Sequence, residues 1–449
     1  MDANFVSRLF ERGTDKGFSE QEIYYVKNQN TEISVYEGQL DKYNLSENAG
    51  LSYRGILDGK LGYAYTEILD EDAINMLVDE AYDNAKIIEV TDQVFLHDGS
   101  GDYEKIAQAG KDESSTPIAE KIAFMFEIEK RIRAFDPRVK SISRNSYSEA
   151  VSERWIKNTK GLDVSDKVNY CFAFFMPVVE ENQDTRSGLG YDISNDFTKL
   201  SMDKIVKESV EEALKMLGAK SMKSQKCPVI FKNVVFAELF SEYMGLYSAD
   251  RVHKDLSGLK GKLNQKIASP LLTLVDNPLL EMGLSTSSFD AEGVATYEKP
   301  IIEQGILRTY FHNLKTAYKD GIASTGNASK ASYKGTVGIA PSNLILTPGE
   351  QPLQRLIETV ENGVYIVSLQ GLHAGIDSIS GDFSLQCYGY VIENGQLTRP
   401  VSQITVAGNY FEMLHDVEMI ADDLRFSILA SDYIGSASVK IKSLSISGD

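Results

Sequence analysis

EIYYVKNQNTEISVYEGQLDKYNLSENAGLSYRGILDGKLGYAYT, residues 22–66, contains four runs rich in β-branched and aromatic residues, which are typical of β-strands. The four runs cover residues 22–26, 31–36, 50–57 and 61–66. Polar or glycine-bearing turns are predicted between them at Lys27–Asn30, Glu37–Gly38 and Asp58–Gly59. Because these connections are too short for a helical crossover, the strands are predicted to form an antiparallel meander.

Outward from the meander, apolar periodicity predicts helices separated by further strands and polar loops. The predicted helices cover residues 2–17, 70–86, a segment that begins at 116–117, 201–217, 233–250 and 352–362. Strands are predicted at 139–158 and 168–179, and a loop at 91–115. After residue 250, strands are predicted with glycine turns at 303–305, 393–395 and 407–409. The polar stretch 221–228, which ends in proline, is a predicted domain boundary. The fold class is therefore α+β in two domains, an N-terminal domain over 1–222 and a strand-rich C-terminal domain over 223–449.

Charge and composition exclude several classes of function. The formal net charge is −19 in 449 residues, which argues against general affinity for nucleic acid or for anionic membranes. The N-terminus has no apolar core of signal-peptide length, and no run approaches the ~20 apolar residues that span a bilayer. The three cysteines have no metal-site spacing and are predicted to be reduced core thiols. A cytoplasmic protein is expected.

The segment NVVFAELFSEYMGLYSAD, residues 233–250, places Glu238 and Glu242 four residues apart, so that on a helix they share one face. A zinc peptidase helix carries histidines at such a spacing because imidazole nitrogens bind Zn²⁺ well. This segment contains no histidine. Two carboxylates on one helix more often form a solvated face, and ligation of a different metal is the alternative.

Several segments of the C-terminal half together resemble the TldD/PmbA family, whose members were once called modulators of DNA gyrase. The segments that carry the resemblance are FDAEGV at 289–294, IEQGIL at 302–307, STGNA at 324–328, SISGDFS at 378–384, VIENG at 391–395 and PVSQIT at 400–405. Each segment alone is a weak signal, whereas their order and spacing extend the resemblance over nearly the whole chain.

The resemblance implies one of two kinds of subunit. The TldD kind carries His-Glu-x-x-x-His, binds zinc and cleaves peptides, whereas the PmbA or TldE kind lacks this motif and pairs with TldD. Alignment on the motif puts Ala237 and Glu242 at the two histidine positions and Glu238 at the glutamate that polarises water. The stretch 426–431, which matches the region of a TldD cysteine ligand, is free of thiols. No catalytic residue, metal ligand or cofactor is therefore expected in this chain, and zinc is expected in a TldD-like partner.

The resemblance also implies a heterodimer with that partner and an extended or unfolded peptide as substrate. Two alternatives remain open, a self-sufficient metallopeptidase that uses Glu238, Glu242 and a distant histidine, and a non-enzymatic homodimer that binds peptides. His253 and His373 are candidate contacts for substrate or partner, although exposure without a role is the commoner state of such loop histidines. His312 lies on a third segment, and the glycines of 371–375 are predicted to form turns.

Overall fold

The computed structural model describes residues 3–89, 93–104, 106, 116–281, 283–428, 430 and 432–449, and it has an α+β fold. Much of the predicted loop over 91–115 lies outside the described residues. In the part of the chain that the structure describes, no helix is long and apolar enough to cross a membrane.

The described residues of the N-terminal half form one large antiparallel sheet and four α-helices. Its strands are β1 (Glu20–Tyr36), β2 (Gln39–Leu57), β3 (Lys60–Thr66), β4 (Val139–Asn158), β5 (Asp163–Glu181), β6 (Asp184–Ser187) and β7 (Gly190–Ser194). Its helices are α1 (Ala3–Lys16), α2 (Glu71–Ile87), α3 (Ile118–Phe135) and α4 (Met202–Lys215). The strand order is β3-β2-β1-β4-β5-β6, with β7 also paired to β5, so the predicted meander is confirmed.

The predicted turn at 27–30 is wrong, because β1 runs through it without interruption. Lys27–Asn30 pairs with β2 on one side and with β4 on the other, which satisfies the backbone groups in both directions. The polar side chains find partners across the strands, since Asn28 donates to Asn48 at 3.2 Å and Gln29 donates to Glu47 at 2.6 Å. The turns at 37–38 and 58–59 are confirmed, with positive φ at both residues of each pair.

The helices of this half cover the sheet in two groups, each with its own apolar core. The first core contains α1, α2 and the strand residues that they meet, among them Leu9, Leu77 and Tyr53. The second contains α3 and α4 packed on the other end of the sheet, with Ile128, Phe175 and others fully buried. These cores confirm the predicted helices, and Asp70 and Ser201 accept hydrogen bonds as the N-caps of α2 and α4.

The C-terminal half is richer in strands, and its helices are short. The strands are β8 (Gln225–Phe231), β9 (Leu274–Asp276), β10 (Lys299–Glu303), β11 (Ile306–Leu307), β12 (Ala328–Ser329), β13 (Gly338–Ile339), β14 (Leu344–Leu346), β15 (Asn362–Gln370), β16 (Asp382–Glu393), β17 (Gln396–Asn409), β18 (Val417–Ile420), β19 (Arg425–Phe426), β20 (Ile434–Ser436) and β21 (Val439–Ser447). The helices are α5 (Asn233–Ser241), α6 (Ala249–His253), α7 (Leu314–Asp320), α8 (Leu353–Glu358) and α9 (Tyr410–His415).

Two six-stranded sheets organise this half. The first has the order β17-β16-β15-β8-β21-β18, and because β17 also pairs with β21, five of its strands close into a ring. The second has the order β11-β10-β9-β14-β20-β19, and β12 and β13 form a separate pair. Helix α5 contacts β15 of the ring and both β19 and β20 of the second sheet, so it lies where the two sheets meet.

The predicted continuous helix over 233–250 is wrong, since it breaks after Ser241 into a 3-10 turn at Met244–Tyr247 and the short α6. Two tyrosines of this segment pack against Tyr410 beyond the break. The Tyr243 ring stacks on Tyr410 with centroids 4.0 Å apart, and the Tyr247 hydroxyl lies 3.0 Å from the Tyr410 hydroxyl.

Two other predictions in this half also fail in detail. The predicted helix over 352–362 ends at Glu358, and the chain enters β15 at Asn362. The predicted turn at 407–409 is instead the end of β17, where Gly408 lacks the side chain that would collide with Phe383 and Leu444. The turns at 304–305 and 394–395 have positive φ and are confirmed.

A buried charged cluster joins the meander to the C-terminal half. Arg54 of β2 donates to Glu22 of β1 at 2.7 Å, and its guanidinium lies 4.0 Å from Glu292. Lys330 enters the same cluster, where its Nζ donates to Ser52 Oγ at 2.9 Å and lies 4.3 Å from the centre of the Tyr24 ring. The FDAEG and STGNA segments of the family resemblance thus lie against the N-terminal meander.

Candidate functional site

Helix α5 is held at its first residue by a hydrogen-bonded network. The Asn233 backbone N–H donates to Ser438 Oγ at 3.1 Å, and its side-chain amide donates to the Asp423 carbonyl at 2.7 Å. Ser438 in turn donates to both carboxylate oxygens of Asp423 at 2.7 Å. Every residue of α5 is buried, so this network and the surrounding apolar core fix the orientation of each side chain on the helix.

Glu238 is the buried acid of α5, with 7 % of its surface exposed. Its Oε1 accepts a hydrogen bond from Ser427 Oγ at 3.0 Å, and no basic side chain of the described residues forms an ion pair with it. Burial raises the pKa of the Glu238 carboxyl to about 7, while the Ser427 hydrogen bond and the charge of Lys232 act in the opposite direction. The predicted solvated face is therefore wrong for Glu238.

Glu238 opens onto a cleft of about 880 Å³ between the two halves of the chain. The N-terminal half contributes β5, β6, β7 and α4, and the C-terminal half contributes α5, β15, β16 and β17. The principal lining side chains are Met176, Leu189, Tyr191, Glu208, Glu211, Glu212, Lys215, Lys232, Tyr365, Val367, Leu369, Tyr388, Tyr390, Leu397, Arg399 and Arg425. A cleft of this size at a domain junction is a typical place for a ligand.

The acidic side chains that α4 directs to the cleft are each matched by a basic partner. Glu208 receives two hydrogen bonds from Arg425, at 2.7 and 3.1 Å. Glu212 pairs with Lys232 at 3.0 Å, and Glu211 pairs with Lys215 at 2.9 Å. Of the acidic side chains that line the cleft, Glu238 is thus the one that forms no ion pair with a described residue.

One wall of the cleft offers a free strand edge beside α5. β8 pairs with β15 only at residues 364–366, and the Lys232 N–H donates to the Ile366 carbonyl at 2.9 Å before the chain turns into α5. β15 continues to Gln370. Val367 lies at a bulge in the pairing with β16, and residues 368–370 pair with β16 alone among the described strands. An exposed edge of this kind can accept an extended peptide through main-chain hydrogen bonds.

The predicted contact residues His253 and His373 do not line this cleft. His253 Nε2 lies 2.7 Å from Asp320 Oδ1, and the buried His312 has its Nε2 3.9 Å from the other oxygen of the same carboxylate. The structure therefore brings together two histidines that are 59 positions apart in the chain, which the sequence did not predict. His373 is exposed in the 371–375 loop, where Gly371 has the expected positive φ.

Residues at the motif positions do not form a zinc site. Ala237 offers no ligand atom, and Glu242 caps the end of α5, one turn beyond Glu238. Among the described residues, no group of three or more histidine, cysteine, aspartate or glutamate side chains is placed to hold a metal ion. The three cysteines are buried and are not joined in disulfides, as the sequence predicts, and burial raises the pKa of the Cys227 thiol to about 11. This donor set does not fit the zinc of a metallopeptidase.

Sequence reasoning did not identify Ser427 as the partner of Glu238, nor the α4 glutamates and the tyrosines of β15 and β16 as lining residues. Only the match of 426–431 to a ligand region of the family pointed towards Ser427, and Leu429 and Ser431 of that stretch lie outside the described residues. The segment that follows reaches the end of α5, where the Asp432 N–H donates to Ser241 Oγ at 2.9 Å. Burial raises the pKa of Asp432 to about 6.

Three successive parts of the chain match domain profiles of a single family. Residues 22–85 match the PmbA/TldA metallopeptidase domain 1, residues 111–217 match the central domain and residues 224–448 match the C-terminal domain. Together the three profiles reach from the meander to the last strand.

Known proteins resemble the chain over almost its full length. A metalloprotease of Methanocaldococcus jannaschii is 26 % identical, with 88 % of each chain covered. The crystal structure of a Thermotoga maritima protein described as a modulator of a DNA gyrase is 31 % identical, with 99 % of both chains covered and a TM-score of 0.91. TldE from Thermococcus kodakarensis shares the fold, with 23 % identity, a TM-score of 0.91 and coverage of 99 % of this chain and all of its own.

Proposed function

The chain belongs to the PmbA/TldD metallopeptidase family, and on that premise we propose that it is a PmbA/TldE-type subunit without a zinc site of its own. It shapes part of the substrate cavity of a complex in which a TldD-like subunit binds zinc and cleaves peptides. The observation that carries this proposal is the state of Glu238, a buried carboxyl with Ala237 and Glu242 at the positions where a metallopeptidase helix has histidines.

Electrostatics supports this assignment. A glutamate that acts on a zinc-bound water is ionised beside a cation, whereas among the described residues the Glu238 carboxyl has the Ser427 hydroxyl as its one hydrogen-bond donor. Burial raises its pKa, and the Ser427 hydrogen bond and the charge of Lys232 offset that rise only in part. No hydrolytic step is assigned to Glu238, and the hydrolytic residues are placed in the partner.

The free edge of β15 supports an extended peptide as the substrate class. Residues 367–370 provide main-chain groups along one wall of the cleft, and such pairing depends little on side-chain identity. A segment whose main-chain groups are already paired within a helix or on both sides of a strand cannot add to this edge, so unfolded or extended chains are the proposed substrates. The cytoplasmic location and the heterodimer remain predictions from the sequence.

Reconstitution tests the proposal. The full chain, a TldD-like subunit and their equimolar mixture are each incubated with an unstructured fluorogenic peptide, with and without a zinc chelator. The proposed role predicts no hydrolysis by the full chain alone, and chelator-sensitive hydrolysis by the mixture that exceeds the hydrolysis by the TldD-like subunit alone.

Size-exclusion chromatography on the same three samples reports the assembly. A heterodimer in the mixture agrees with the proposal. Chelator-sensitive hydrolysis by this chain alone would instead establish a self-sufficient peptidase. A homodimer that ignores the TldD-like subunit and does not raise its activity would establish a peptide-binding protein of a separate kind.

A further inference from the structure

A second cavity lies where the N-terminal meander meets the C-terminal half, and it shares no lining residue with the cleft around Glu238. Its volume is about 380 Å³, which is within the range of small-molecule sites. Strands β1, β2, β4 and β5 contribute one side, and the segments 284–291 and 326–333 contribute much of the other. These segments contain parts of FDAEGV and STGNA, which lie outside the lining of the cleft.

Four charged side chains line this cavity, and three of them are matched by groups of the protein itself. Arg154 donates to the two carboxylate oxygens of Asp166, at 3.2 and 2.6 Å. Asp290 accepts three main-chain N–H bonds at 2.8 to 3.0 Å, and these bonds occupy both of its oxygens. The fourth is the half-buried Lys330, which forms no ion pair with a described residue.

The Lys330 ammonium has more N–H donors than the protein has acceptors for them. Its Nζ lies 4.3 Å from the centre of the Tyr24 ring, which also lines the cavity. Of its three N–H groups, one is accepted by Ser52 Oγ at 2.9 Å and one by the Tyr63 hydroxyl at 3.4 Å. The described residues supply no acceptor for the third, so an oxygen of a ligand can take it.

The charges behind Lys330 do not replace a counter-ion. Arg54 lies two residues along β2 from Ser52, and its own charge is matched by Glu22 at 2.6 Å. Burial lowers the pKa of Lys330 to about 7, and the charge of Arg54 acts in the same direction, whereas the charge of Glu22 opposes it. An anion that binds beside such a cation supplies the missing charge, and a charge-assisted hydrogen bond is stronger than a neutral one.

The remaining wall offers apolar rings and hydroxyl groups to the same ligand. The rings of Tyr24 and Tyr333 line the cavity, and tyrosine rings provide a large apolar contact area. Ser285 and Ser329 also line it, and their hydroxyls can donate hydrogen bonds to a carboxylate. The combination suits a molecule that has both an anionic group and an apolar part.

We propose that this cavity binds a small organic acid, whose carboxylate accepts a hydrogen bond from Lys330 and whose apolar part packs on the rings of Tyr24 and Tyr333. Lys330 is the residue that recognises the charge of the ligand. The site is independent of the role in a peptidase complex, because it uses other residues and involves no bond cleavage.

Isothermal titration calorimetry on the full chain alone tests the proposal at about pH 6, where Lys330 is protonated. The probes are benzoate, its uncharged analogue benzamide and inorganic phosphate. Benzoate is expected to saturate a single site and to bind at least about tenfold more tightly than benzamide, because benzamide lacks the charge. Phosphate is expected to bind more weakly than benzoate, because it has no apolar part to pack on the rings.

Two lysine variants separate recognition by Lys330 from a general effect of charge. Lys330→Met keeps an unbranched side chain without the charge, and it is expected to weaken benzoate binding about tenfold or more while benzamide binding stays within about twofold of wild type. Lys334→Met is the matched control, because Lys334 is exposed, pairs with Glu67 at 2.7 Å and does not line the cavity. Its affinity for benzoate should equal that of wild type.

Four results would overturn the proposal, namely no saturable binding of benzoate, equal affinity for benzoate and benzamide, unchanged benzoate affinity in Lys330→Met, or phosphate binding as tight as that of benzoate. If Lys330→Met does not fold, the comparison of the three probes on wild type still decides the question. None of these results touches the proposed function, whose test is hydrolysis in the mixture with a TldD-like subunit.

Discussion

Glu22 and Glu238 are both nearly inaccessible to solvent, at 1 % and 7 % exposed, yet their carboxyl groups have different kinds of partner. Glu22 receives hydrogen bonds from Arg54 at 2.7 Å and from the Asn158 amide at 3.2 Å, so its charge is matched at the junction of the two halves. Within the described part of the chain, the Ser427 hydroxyl is the one hydrogen-bond partner of the Glu238 carboxyl, and the pKa of Glu238 rises to about 7.

The difference separates a structural acid from a functional candidate. A buried carboxylate with a guanidinium partner is a stable part of the fold, and its partner lies on a neighbouring strand of the same sheet. Ionisation of a buried carboxyl is unfavourable when no cation lies beside it, and carboxyls with such a perturbed pKa occur preferentially at functional sites. The cleft at Glu238 is therefore the candidate functional region, whereas the cluster of Glu22 and Arg54 at the junction is structural.

The largest expected effect is at the junction. Arg54→Ala leaves Glu22 and Glu292 buried without their cation, and it is expected to lower the free energy of unfolding by about 3–5 kcal/mol. Urea denaturation followed by circular dichroism measures it. Lys42→Ala breaks the exposed pair with Glu32 and serves as the control, with an expected loss below about 1 kcal/mol. Equal losses in the two variants would show that the Arg54 cluster is not structural.

The next effect is at Glu238, and it depends on pH. The pKa of Glu238 is raised on folding, so the folded state holds the proton more tightly and wild type loses stability as pH rises from about 4.5 to about 7. Glu238→Gln lacks this titration. Its stability relative to wild type is expected to grow by about 2 kcal/mol between about pH 5.5 and about pH 8 and then to level off.

Denaturation curves of wild type and Glu238→Gln at several pH values measure the difference between their free energies of unfolding. Other groups titrate in both proteins, so their contributions cancel in this difference. A stability difference that stays constant over this range would mean that Glu238 is matched by a charge, as Glu22 is, and would remove the contrast between the two acids.

The smallest effect concerns Ser427. Its hydroxyl donates to Glu238, and a hydrogen bond to a carboxylate is stronger than one to a neutral carboxyl. Ser427→Ala is therefore expected to cost about 2 kcal/mol at about pH 8 and about 1 kcal/mol at about pH 5.5. The same substitution in the Glu238→Gln background should lose this dependence on pH. A cost that is independent of pH in the wild-type background would contradict the assigned contact.

The sequence predicted most of the fold because its elements follow local rules. The meander, the N-caps at Asp70 and Ser201 and the glycine turns all depend on neighbouring residues. The failures depend on distant ones. Residues 27–30 remain in a strand because β2 and β4 bond them from both sides, and the 233–250 helix breaks where Tyr243 stacks on Tyr410.

The site was less predictable for the same reason. The sequence alone shows that positions 237 and 242 have no histidine, and this observation identified Glu238 as a residue of interest. The sequence could not predict that Glu238 is buried, because two carboxylates at helical spacing are ordinarily exposed. The burial arises because the second sheet and the ring together enclose α5. Ser427, which contacts Glu238, and the lining residues Glu208 and Tyr390 come from segments far apart in the chain.

Zinc binding by the full chain tests the central claim most directly. Equilibrium dialysis of the metal-free chain against Zn²⁺ at about pH 7.5, followed by metal analysis, compares wild type with Glu238→Gln. The account predicts far less than one tightly bound zinc per chain in both proteins, with no difference between them. One zinc per chain in wild type that is lost in Glu238→Gln would contradict it and would place a metal centre at Glu238.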